Sequence, residues 1–148
     1  MIKELITIFE RDLYKLKQEV AAFQSEENLW KTTGNVTNSA GNLALHLTGN
    51  LNHYVGHLLG NTGYVRDRAS EFGSKLIPSE ELISGIDQVS ETVTQTLRNL
   101  HEEDLSRPYP EQVFGYEMTT SFMLIHLSTH LSYHLGQINY LRRVLEKK

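Results

Sequence analysis

Apolar residues recur along this chain at intervals of three and four in separate stretches. In the first stretch Ile2, Leu5, Ile6, Phe9, Leu13, Leu16, Val20 and Phe23 form one stripe. That spacing is the mark of an amphipathic helix. The loop "SEENLWKTTGNVTN" ends it, rich in Asn, Thr and Gly. A second helix is predicted from about Asn38 or Ser39, both favourable N-cap residues, to about Leu59, with Gly60 as its C-cap. A third opens with Pro78, suited to a first turn, and carries Glu80 and Glu81 where they favour the helix dipole. Its stripe is Leu82, Ile86, Val89, Val93, Leu97 and Leu100. After the loop "HEEDLSRPYPEQVFGYE" a fourth helix runs from about Met118 to Leu145. No stretch alternates as a strand would. The expected class is therefore all-α, a four-helix bundle in a single domain over residues 1–148.

The connection "NTGYVRDRASEFGSKLI" between the second and third helices reads as polar. Its roughly 17 residues reach about 50 Å when extended. A helix of about 22 residues is only about 33 Å long. The segment is thus a long crossover, able to return the chain to the end it started from. Helices two and three could then run parallel, in an up-down-down-up order.

Charge and composition narrow the function. The net charge is -4 with both signs mixed along the chain, which argues against a nucleic-acid binder. The one basic cluster, Arg142, Arg143, Lys147 and Lys148, reads as cations complementing the end of the last helix. There is no cysteine, so disulfides, thiolate metal sites and a protein thiol nucleophile are excluded. "MIKELITIFERDLYKLK" has charges at helical spacing and is not a signal peptide. No apolar run approaches a membrane span. The expectation is a soluble cytoplasmic protein without membrane or nucleic-acid partners.

The candidate chemistry lies in histidine. On a wheel of about 100° per residue, His126, His130, His134 and Gln137 fall within about 40° of His130. Met123, Leu127, Leu131, Ile138 and Leu141 share or flank that sector. Ser121, Ser128, Ser132, Asn139 and Arg143 lie on the other side, so the histidines point inward. In the second helix His46, His53 and His57 lie near one line, with Asn42 and Asn50 beside them. Leu43, Leu47, Leu51, Tyr54, Val55 and Leu58 form the adjacent arc, so this stripe borders the core.

An interior imidazole without a partner costs about 1–3 kcal/mol. Ordinary polar packing is one remedy, and a divalent cation that satisfies several imidazoles at once is another. Histidines at i and i+4 lie one above the other, as a chelating pair requires. A third imidazole from a facing helix would leave coordination positions open, the plan of catalytic rather than closed structural sites. Two interior histidines, His130 and His134, facing another His-bearing helix favour the metal. His53 and His57 lie about 10 and 16 Å along the axis from His46, too far to share its ion. His126 alone reads as a core or rim residue, and His101 as a surface residue at a loop.

"NSAGNLALHLTGN" and "HLSYHLGQINYLRR" resemble the DinB-like superfamily of bacterial metal-binding four-helix bundles. The first matches the helix-two segment that carries a single ligand histidine. The second matches the HxxxHxGQI signature. The resemblance covers nearly the whole chain, and "RDRASEF" is similar to a segment found in one branch. It implies the up-down-down-up order and His46, His130 and His134 as metal ligands, with no ligand role for His126. Helices two and four would be antiparallel, which sets His53 level with His126 as a polar cluster deeper in the pocket. Three neutral imidazoles suit Zn, Ni or Fe(II); the family is described with nickel, zinc or manganese. Gln137 would bond a ligand or a metal-bound water, or else cap a buried polar pocket.

The resemblance also implies activities. Relatives include thiol transferases that use bacillithiol or mycothiol, and homodimers are common among them. The expected function is a metal-dependent enzyme acting on a small molecule, either a transferase with a low-molecular-weight thiol cosubstrate or a hydrolase. Candidate substrate contacts are Asn50, Tyr133, Tyr64, Arg66 and Arg68, the loop arginines otherwise being solvated charge. Asp67 and Glu71 could serve as a base only if the crossover folds over the site. The alternatives are a non-catalytic bundle in which the metal is structural, and a metal-free dimer in which the histidines are polar core.

Overall fold

A computed structural model describes residues 1–146; Lys147 and Lys148 of the basic cluster lie outside the described residues. Helix α1 spans Ile2–Ala22 and buries Leu5, Phe9, Leu13, Leu16 and Val20, the stripe set by the three-four spacing. Helix α2 spans Ala40–Leu51, and its N-cap Ser39 side chain accepts from the Asn42 amide. A short helix α3, Arg68–Gly73, follows in the crossover. Helix α4 spans Ser79–Arg98 behind Pro78 and buries Leu82, Ile86, Val89, Val93 and Leu97. Helix α5 spans Thr120–Leu145, capped by the Thr119 side chain on the Phe122 amide.

Side-chain partners fix the direction of each long helix. Lys17 pairs with Asp87, and Thr94 donates to Glu10, so α1 and α4 run antiparallel. Glu19 accepts from Asn139 and Arg142, and further along the Gln24 amide donates to Glu146 just past the end of α5. Helices α1 and α5 are therefore parallel. His46 meets His130, and Tyr109, next to the start of α5, donates to the Tyr54 carbonyl, so α2 and α5 are antiparallel. Gly56 abuts Thr92 and Gly60 abuts Thr96, so the α2 arm and α4 run the same way. The order is up-down-down-up, and the long crossover joins the two parallel helices. One hydrophobic cluster runs through all four long helices. Among the described residues, no helix is long and apolar enough to cross a membrane.

Several details depart from the sequence expectation. The crossover carries the short helix α3, capped by Asp67, which accepts from the Ser70 amide. Helix α2 does not continue regularly to Leu59. It passes at Asn52 into a π-helical turn, Asn52–His57, in which Leu58 N–H bonds the His53 carbonyl five residues back. Gly60 is not the left-handed cap. Asn61 takes that conformation at φ 51°, whereas a Cβ on Gly60 would lie 2.5 Å from Thr96 Oγ1. Glycine there permits the close approach of α4. In α5, Ser128 is buried and Asn139 is bonded to Glu19, because α1 packs on the side the wheel assigns to solvent. The exposed side of α5 instead carries Phe122, Ile125, Tyr133, Tyr140 and Val144.

Candidate metal centre

Helices α2 and α5 bring His46, His130 and His134 together. One ring nitrogen of each lies within 4.8 Å of the others. The closest approaches are Nε2 to Nε2: 3.2 Å from His46 to His130, and 3.1 Å from His134 to His130. His46 reaches across from buried positions of α2, and His130 and His134 sit one turn apart on α5.

The outer faces of two rings are fixed by acceptors. His46 Nδ1 lies 3.0 Å from Glu71 Oε1, and His134 Nδ1 lies 2.6 Å from Gln137 Oε1. A neutral imidazole that donates from Nδ1 has a lone pair at Nε2. The ionised Glu71 carboxylate has no proton to give, and Gln137 presents its carbonyl, so both rings aim lone pairs at one point. Burial holds the His130 ring at a pKa of about 3, reinforced by His134, His46, His126 and Arg66. Burial also lowers His134, partly offset by its bond to Gln137. These two rings are uncharged at neutral pH.

Converging lone pairs repel one another unless an electrophile lies between them. Two nitrogens each about 2.0–2.1 Å from a zinc-like ion are about 3.0–3.4 Å apart at octahedral or tetrahedral angles. The His46–His130 and His134–His130 separations fit that range, and the third pair lies within 4.8 Å, so these residues suit a divalent cation, with Nε2 from each histidine as the donor set.

Glu71 was the main residue that sequence reasoning missed as a partner of the cluster. The crossover does fold over the site. Glu71 is 5% exposed, and Arg66 grips it with two bonds of 2.9 Å, from Nε to Oε2 and from Nη2 to Oε1. Burial pushes the Glu71 carboxyl up, but hydrogen bonds from Arg66 and His46 outweigh it and leave the group below the usual range. It stays ionised and occupied, so it orients His46 and is not free to act as a base. Arg66 is likewise neither solvated loop charge nor a free substrate contact. The available signal was Gly49, a glycine within α2. A Cβ there would fall 2.1 Å from Glu71 Oε2, so only glycine leaves room for the carboxylate.

The other sequence candidates fall in several places. Asn50 is buried and lines a cavity of about 170 Å³ with His46, Arg66, Arg68, His126 and His130. His126 packs edge-on against Phe114 at 4.7 Å and stacks with His130 at 6.1 Å. His53 instead pairs with Glu111 at 3.5 Å and stacks with His57 at 5.8 Å. His53 and His126 thus each have their own set of contacts. Gln137 bonds a histidine of the cluster and is exposed, so it caps no buried pocket. Tyr133 touches the His134 ring at 5.4 Å but is 66% exposed and lines neither cavity beside the cluster. Tyr64 is half-buried near Glu71, and Asp67 is occupied in capping α3.

A larger groove of about 520 Å³ opens beside His134 and Gln137. Thr33, Val36, Leu43, Tyr140, Leu141 and Val144 are among its walls, and among the described residues no charged side chain lines it.

A family model described as "Protein of unknown function (DUF1572)" matches residues 2–148. No curated protein matches the sequence significantly. Among solved structures, the crystal structure of a DinB-like protein from Bacillus cereus ATCC 10987 superposes with a TM-score of 0.72. It is 17% identical, with 90% of this chain and 85% of that chain covered. At that identity the likeness shows the fold: a DinB-like helical bundle.

Proposed function

We propose that this chain, which belongs to the DUF1572 family, is a metal-dependent enzyme that holds one divalent cation on His46, His130 and His134 and acts on a small molecule. The reading rests on one observation: three Nε2 atoms converge, two of them with their lone pairs fixed by Glu71 and Gln137. A cation there supplies Lewis acidity at its remaining positions. Zinc, nickel, manganese and ferrous iron are the candidates, imidazole suiting the softer ones best. The chain's own residues do the rest. Glu71 and Gln137 hold ring orientation, burial keeps His130 and His134 neutral, and the groove beside His134, with Val36, Leu43, Leu141 and Val144 in its walls, takes an apolar substrate. The reaction class is group transfer to or from a low-molecular-weight thiol, or hydrolysis. With no cysteine in the chain, the sulfur would come from a cosubstrate.

The test pairs elemental analysis with activity. Purified protein should carry about one metal per chain, lost in His130→Ala and His46→Ala and kept in His126→Ala. Each reloaded metal form is then assayed on electrophiles with several small thiols, and on ester and amide panels. No metal above background with all three histidines intact would sink the ligand assignment. A second reading has its own support, since the cluster ties α2, α5 and, through Glu71, the crossover together. If chelation unfolds the protein while no activity appears in any metal form, the metal is structural.

A further inference from the structure

The outer nitrogens of the three histidines are not equivalent. Those of His46 and His134 have protein acceptors, but His130 Nδ1 is buried with no hydrogen-bond partner. With Nε2 turned to a metal, Nδ1 carries the only N–H of that neutral ring. Ligating imidazoles almost always donate that N–H to a carboxylate, a carbonyl or water. Here no acceptor among the described residues meets it.

His130 lines the 170 Å³ cavity described above, and Asn50 lines it too. Asn50 is 7% exposed, and its Oδ1 is also buried without a partner. At about 30 Å³ per water, the space holds a few waters or one small organic group. Two cations reach this cavity. Arg66 is neutralised by Glu71. Arg68 packs over the Phe72 ring at 5.4 Å instead of pairing with a carboxylate. The surroundings are left with one uncompensated positive charge, an unmet N–H and an amide that can be turned to donate.

We propose that this cavity is a subsite for a carboxylate group, one oxygen accepting from His130 Nδ1–H and the other facing Arg68. This inference rests on the metal reading, because the metal is what fixes the proton on Nδ1. The ligand is a monoanion whose carboxylate is planar and two-oxygened, matching one spare charge and two donors. Binding is coupled in both directions: the carboxylate strengthens metal binding, and the metal strengthens carboxylate binding by the same factor.

Acetate is the probe. Metal affinity of the full chain is measured by competition with a chromogenic chelator, with and without saturating acetate, at constant ionic strength. Acetate's own affinity for the free metal is measured separately and subtracted. The expected result is a gain of about tenfold in metal affinity, the scale on which partners of ligating histidines act. Arg68→Gln should abolish the gain while leaving the acetate-free affinity unchanged. Asn50→Leu, which fills the cavity with apolar bulk, should reduce it as well. No gain in the wild type overturns the proposal. An equal gain in wild type and Arg68→Gln overturns it too, since acetate would then be sitting on the metal. Failure of the metal reading is distinct, because it shows as absent binding in the acetate-free titration.

Discussion

The two sides of this bundle are built on different principles. Where α1 meets α4 the interior is hydrocarbon: Phe9, Leu13, Leu16, Ile86, Val89, Val93 and Leu97 are each no more than 1% exposed. Where α2 meets α5 and the crossover, buried Leu43, Leu47, Leu127 and Leu131 share the space with Asn42, His46, Asn50 and Glu71. The apolar side gains from non-directional burial, about 1.5–3 kcal/mol for each large side chain. The polar side gains little net and must satisfy each donor and acceptor. It does so incompletely, at Asn50 and His130. The division teaches that one side holds the fold together so that the other can keep a set of lone pairs aimed at a point.

The largest expected effect breaks the apolar side. Phe9→Ala should lower the stability of the metal-free protein by about 3–5 kcal/mol, read from urea unfolding. Once folded, the variant should bind metal with unchanged affinity. A large loss of metal affinity in folded Phe9→Ala would show that the two sides are not separable.

Next comes Glu71→Gln, which keeps the shape of the side chain but removes the charge that Arg66 grips. Chelator competition should show metal affinity down by about 10–100-fold, and the metal-free protein should unfold at lower urea, because Arg66 is left as an unpaired, largely buried charge. If the variant loses stability and keeps its metal affinity, Glu71 is a fold anchor and not a positioning residue for His46.

The two sides were unequally legible in the sequence. The stripe from Leu5 to Val20 and that from Leu82 to Leu97 follow directly from spacing, because apolar burial depends on which face a residue occupies and little else. His130 and His134 were reachable from their spacing of four on an inward face, and His46 through the family resemblance. What spacing could not carry was the long-range pairing. Glu71 and His46 are 25 residues apart, and only the folded crossover joins them. The π-helical turn at Asn52–His57 was not legible either, since no spacing in the sequence marks it. Ser128 and Asn139 were misplaced because α5 packs against α1 as well as α2, which the pattern of one helix does not reveal.

Acid should separate the sides further. The His130 pKa is about 3 in the folded chain, below the ordinary imidazole value, and burial lowers His134 and His126 in the same direction. A depressed folded pKa contributes stability above the unfolded value of about 6.5 and loses it as pH falls toward the folded value. Glu71, also depressed, adds to the loss at lower pH. The melting temperature of the metal-free protein should therefore drop by a few degrees between pH 7 and 5. The drop should be shallower in His130→Leu. An equal slope in that variant would remove His130 as the cause.

The smallest expected effect concerns the second orienting bond, and it asks whether burial is what makes such a bond count. Gln137 Oε1 accepts from His134 Nδ1 at 2.6 Å, as Glu71 accepts from His46. The bonds look alike, yet Gln137 stands in solvent at the lip of the groove and Glu71 is sealed beneath the crossover. Water can take the place of the Gln137 carbonyl with nearly equal enthalpy. It cannot reach the Glu71 position without opening α3. Gln137→Ala should then cost at most about threefold to tenfold in metal affinity, at or below the low end for such partners. Chelator competition on both variants side by side makes the comparison. Losses of equal size in Gln137→Ala and Glu71→Gln would mean that the geometry of the bond, and not its burial, sets how firmly each histidine is held.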